Sequence, residues 1–110
     1  MDKNMEVVET VTAEVVDENS IIQLRKPMAD GATTLTLDFN KLDGNMLIRC
    51  ELNAKKLDRG MTVPVLSQVY LAQVAAAAAG VRYDDILRLS APDFNAATLR
   101  TQNFLMDSRG

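Results

Sequence analysis

The chain has 110 residues, 47% hydrophobic and 25% charged, with 5% aromatics, no tryptophan and a net charge of −3. That is one domain with a single modest aliphatic core; the acidic balance argues against a phosphate-binding face, since Arg25-Lys26 and Lys55-Lys56 are the only adjacent basic pairs and neither is interleaved with aromatics. One cysteine, Cys50, and no histidine exclude an internal disulfide, a Cys–His pair and a Ser–His–Asp triad within the chain, and leave zinc only carboxylates and one thiolate.

Residues 1–20 read as a flexible, acidic arm that pairs on contact. Val alternates with Glu and Thr there, and no turn partner follows before "DENS". The stretch lacks the basic start and long apolar centre of a signal peptide. No run anywhere approaches the ~20 apolar residues of a membrane span, so the sequence points to a soluble cytoplasmic protein with no membrane partner.

A single domain is predicted over 21–106. "IIQLRKPM" places Ile22 and Leu24 on one face and Gln23 and Arg25 on the other, and Pro27 marks the strand's end or an edge. Asp30-Gly31 is a turn signal. "TLTLDF" then alternates again, with Leu35, Leu37 and Phe39 on one face. A β-hairpin with one apolar face follows, and it needs a cover.

Helices supply that cover. A helix over 43–58 starts at the N-cap Asp43 and ends in the basic turn Lys55-Lys56, with Leu47, Cys50, Ala54 and Leu57 as its apolar stripe. After the loop "DRGMTVP" comes a helix over 66–79, "LSQVYLAQVAAAAA", stopped by Gly80. Its polar residues form no continuous face, so it is either central or an interface. Its own core, a second copy of the chain and a hydrophobic client all fit. Asp84 is expected to cap a short helix through Leu89. Ser90 caps the last helix, to 106, with Pro92 in its first turn and Asp93 at the capping-box spacing. That helix sets Phe94, Ala97, Thr101, Phe104 and Leu105 inward and Asn95, Arg100 and Gln102 outward. Residues 107–110 should fray. The predicted fold is α+β and mostly helical, a hairpin packed against three to four helices.

The inventory holds no catalytic, cofactor or metal site. Asp84 and Asp85 diverge by about 100° on a helix. Gly31, Gly44, Gly60 and Gly80 have no phosphate-cradling spacing. Tyr70 and Tyr83 lack the neighbours of acid–base groups. A non-enzyme is expected.

The stretches "IIQLRKPMADGATTLTLDF", "LSQVYLAQVAAAAAGV" and "YDDILRLSAPDFNAATLRTQNFL" resemble the tail assembly chaperones of long-tailed bacteriophages, the small-protein family of Mu-like and P2-like phages and prophages. The likeness spans Ile21 to Leu105, and "LSAPDFNAAT" is its most specific part. It implies a non-enzymatic protein of the host cytoplasm that acts in many copies, binds the tape measure protein, keeps it soluble and is absent from the finished virion. In many such phages a longer, frameshifted product contacts the tail tube protein. Two other readings remain open, a small structural tail or neck subunit and an acidic adaptor for an enzyme. On the chaperone reading, Val69, Tyr70, Leu71, Phe104 and Leu105 are the candidate client contacts, although the same residues would serve equally as core. The apolar helix over 66–79 further implies self-association.

Overall fold

The computed structural model describes residues 20–107. The arm expected over 1–20 lies outside the described residues except for Ser20, as do residues 108–110. The elements in chain order are strands β1 (Ile21–Gln23) and β2 (Thr34–Thr36), a 3-10 turn (Phe39–Lys41) and helix α1 (Gly44–Leu57). A second 3-10 turn (Pro64–Leu66) then leads to α2 (Gln68–Ala79), α3 (Tyr83–Leu87) and α4 (Ala91–Leu105). The expected class, α+β and mostly helical with an N-terminal hairpin packed on helices, is the one observed.

The strands are much shorter than the alternating pattern suggests. β1 and β2 pair antiparallel with Ile22 opposite Leu35. Beyond the strands the ladder is carried on by Leu37 N–H to the Ser20 carbonyl at 2.8 Å and Leu24 N–H to the Thr33 carbonyl at 2.9 Å. The connection then turns tightly. Asp30 Oδ1 accepts from Ala32 N–H at 2.9 Å, and Gly31 takes φ +90°, which side-chain-bearing residues rarely adopt. Phe39 leaves the strand alternation altogether, because Asp38 caps a 3-10 turn there: its Oδ1 accepts from Asn40 N–H at 3.2 Å.

Caps define the helices. Asp43 accepts from Met46 N–H at 2.9 Å, and Ser67 accepts from Tyr70 N–H at 3.3 Å, so α2 starts after Ser67 and not at Leu66. Gly80, at φ +72°, ends α2 in the left-handed conformation, with Val81 N–H reaching the Ala76 carbonyl at 3.0 Å. The short helix is not capped by Asp84. Arg82 is its first boundary residue, and Asp85 reaches back to Arg82 N–H at 3.1 Å.

Helix α2 is the central element. Ala72, Ala75, Ala76 and Ala78 meet Ile22, Leu35 and Leu37 of the hairpin, Ile86 of α3 and Ala97 of α4. On its other side Tyr70, Leu71 and Val74 meet Cys50 and Ala54 of α1 and Met61 of the following loop. The domain's own elements therefore enclose the helix, which removes the ground for expecting a second copy to cover it. Leu37, Ile86 and Val74 are fully buried, each contributing roughly 1.5–3 kcal/mol. The α1 stripe departs from expectation at Leu57, which is 61% exposed. The chain turns at Asp58, which accepts from Ser67 Oγ at 2.8 Å, and Met61 takes the inner place.

Helix α4 is pinned to β1 by two of its polar side chains. Ser90 caps α4 through Asp93 N–H at 3.4 Å, but the other half of the expected capping box is not made. The buried Asp93 carboxylate instead accepts from Arg25 N–H at 2.8 Å, and Arg100, expected to point outward, donates to the Ile21 carbonyl at 2.9 Å. These backbone groups, of Ile21 in β1 and of Arg25 two residues beyond it, lie on the edge that β2 leaves open. The buried hydroxyls of Thr98 and Thr101 donate back to the Phe94 and Ala97 carbonyls at 3.1 and 2.8 Å. Asp93→Ala should lower stability by about 1–3 kcal/mol in urea unfolding, the penalty for leaving a backbone donor without its partner, and should speed exchange at the Arg25 amide. A loss no larger than that of Ser90→Ala, about 1 kcal/mol, with unchanged Arg25 exchange, would refute the clamp.

Candidate interaction surface

The five residues predicted to form one contact surface are distributed between interior and exterior. Tyr70 and Leu71 are 6% and 3% exposed and belong to the α1–α2 core. Val69 and Leu105 are half-buried at the edge of that core. Phe104 is exposed on one side and stacks on Phe39, with ring centroids 4.5 Å apart and planes inclined by 8°. The physical reason is the position of α2. An apolar helix flanked by two layers of the same domain spends its large side chains on its own packing.

The exposed apolar side chains lie elsewhere. Leu66, at 67% exposure, projects from the 3-10 turn that precedes α2, and Leu99, at 56%, from the outer face of α4. Gln102 Nε2 donates to the Val65 carbonyl at 2.9 Å, which fixes the 3-10 turn against α4 and so holds Leu66 and Leu99 on the two sides of one groove. The groove has a volume of about 300 Å³, with Leu71 among its lining residues and Gln68 and Asn95 at its polar margin. Leu99 also borders a second depression of about 550 Å³, lined by Phe39, Phe104, Arg100 and Ser20. Leu99 thus stands between two open hollows, the first mainly apolar and the second mixed, with Asn103 and Asp107 also in its lining.

The sequence contained a signal for this surface. Leu99 falls on the same helical face as Asn95 and Gln102, which had been set outward, so an apolar residue sits within a polar face. Leu66 immediately precedes the N-cap Ser67, where an apolar residue commonly packs on the first turns of the helix.

Burial, and then the neighbouring Cys50 and Glu51, push the Tyr70 phenol up from its ordinary value, and burial with Asp84 does the same for Tyr83. Burial pushes the Cys50 thiol up, and nearby Arg49 offsets this only in part. Among the described residues no cluster of three or more His, Cys, Asp or Glu side chains is placed to hold a metal ion, and no helix is long and apolar enough to cross a membrane. No family model, curated protein or solved structure matches the chain.

Two outcomes check this placement. Tyr70→Ala should destabilise by about 3–5 kcal/mol, as large aromatic deletions from cores do. Phe104→Ala should lose only the stacked pair, about 0.5–1.5 kcal/mol beyond its area, and equal losses at the two positions would contradict the assignment. Cys50, buried and with little thiolate at pH 8, should react with an aromatic disulfide reagent far more slowly in the folded chain than in urea; equal rates would show that the thiol is open to solvent.

Proposed function

We propose that the chain is a non-enzymatic tail assembly chaperone, which keeps the tape measure protein soluble by covering its apolar helical stretches. The observation that carries this reading is the pair of open hollows around Leu99, with Leu66 on one side and Phe104 on the other. They are open, and each sets apolar side chains among polar ones. That suits the side of a helix rather than a small molecule. The resemblance over Ile21–Leu105 supplies the identity of the client. The contact set moves accordingly, from Tyr70 and Leu71 to Leu66, Leu99 and Phe104, with Leu71 beneath them. On this reading the chain works in the host cytoplasm in several copies, is left out of the finished particle, and reaches the tail tube protein only through a longer, frameshifted product.

Co-expression with the tape measure protein tests the proposal. Leu66→Asp and Leu99→Asp alter exposed side chains, so each should change stability by only about 0.5 kcal/mol. The double variant should nevertheless leave the tape measure protein in the insoluble fraction. A double variant that folds and still solubilises its client would remove this surface from consideration. Finding the chain in fixed proportion in purified particles would favour a structural subunit instead.

A further inference from the structure

The outward face of α1 has no partner among the described residues. Ile48 and Leu52 are 61% and 58% exposed. At about 100° per residue they lie roughly 40° apart on the helix; Lys55 falls about 20° to one side of Ile48, and Lys56 and Arg49 roughly 40° and 60° beyond Leu52. All five are exposed, so an apolar pair is framed by cations on both flanks. Among the described residues no ion pair engages these three cations.

The chain itself carries a segment of matching character. Six of its fifteen acidic residues lie within 1–19, against one basic residue, Lys3, so the remaining nine acidic residues face eleven basic ones. The acids of the segment are interleaved with apolar side chains: Val7, Val8 and Val11 stand among Glu6, Glu9 and Glu14. The point of attachment is also suitable. The Ser20 carbonyl is bonded to Leu37 N–H at 2.8 Å, and only six residues separate Leu37 from Gly44 at the start of α1. Even fully extended, that connection spans about 25 Å, and Leu52 lies about 12 Å further along the helix. The fifteen residues from Met5 to Asn19 reach about 50 Å. We infer that residues 5–16 bind, within the same chain, to the α1 face formed by Ile48 and Leu52 between Lys55 and the pair Arg49–Lys56. Apolar contact with Ile48 and Leu52 supplies the binding, and the cations select the acidic segment over neutral ones. The inference uses none of the Leu66–Leu99–Phe104 surface and stands or falls separately from the client reading.

The test uses the full chain with a nitroxide on Thr12→Cys, since burial should make the native Cys50 slow to take up label. In low salt the amide signals of Ile48, Leu52 and Lys55 should lose more than half their intensity. The loss should be reversed by Lys55→Glu with Lys56→Glu, whose helicity is checked by circular dichroism. It should be reversed equally by Glu6→Gln, Glu9→Gln and Glu14→Gln together, which change no described residue. Undiminished signals on α1 would overturn the inference. So would broadening centred on Leu99 and Phe104, which would place the segment in the other surface. Broadening that passes to isotope-labelled, nitroxide-free chains in a mixed sample would also overturn it, by assigning the face to a second copy.

Discussion

The close approach of four segments to one alanine-rich helix sets the terms for everything else in this domain. Ala72, Ala75, Ala76 and Ala78 present almost no side chain, so the hairpin, α3 and α4 can lie close against the α2 backbone. Alanine adds little transfer energy by itself. Its value is that Leu37, Ile86 and Ala97 reach the same small volume and are fully enclosed there. The larger residues of α2, Tyr70, Leu71 and Val74, are turned to the other side, where α1 needs bulk to fill the gap. One helix thus serves two packing layers of different depth, with small residues on one side and large on the other.

Helix α4 complements this arrangement through its polar groups. Asp93, Arg100 and Gln102 each hold a backbone group of a distant segment, at Arg25, Ile21 and Val65 respectively. A helix whose polar side chains are engaged laterally in this way leaves an apolar outward residue, Leu99, standing clear in solvent. The exposed apolar surface is therefore no accident of a loose core. It is what remains once the polar residues beside it have been drawn into holding the strand and the 3-10 turn.

Much of this was legible in the residues. Period-two alternation around Asp30-Gly31 located the hairpin, and Asp43, Gly80 and Ser90 located helix ends, because caps and turns act through local geometry that a sequence states directly. The helix expected over 66–79 was recognisably either central or an interface, but its residues alone do not say which. That choice depends on whether the domain's other elements enclose it from both sides. The same limit explains Tyr70 and Leu71, whose apolar character suits a core and a contact surface equally. Asp93 was misjudged for a related reason. A carboxylate at the third helical position has a local partner available, and only the tertiary fold reveals that Arg25, just past β1 and 68 residues away, claims it.

That distance bears on how the domain comes into being. Residues 21–25 are made early, whereas the side chains that bond to the free edge of β1, Asp93 and Arg100, are added 68 and 79 positions later. A nascent chain that has formed the hairpin and the first two long helices therefore still presents an open strand edge, the feature most prone to pairing with another chain. Closure waits for almost the last turn of the last helix, and such long-range joining is slow compared with helix formation. The strand edge is sealed from α4, so nascent chains that have not yet added Arg100 are where misassembly between copies would concentrate.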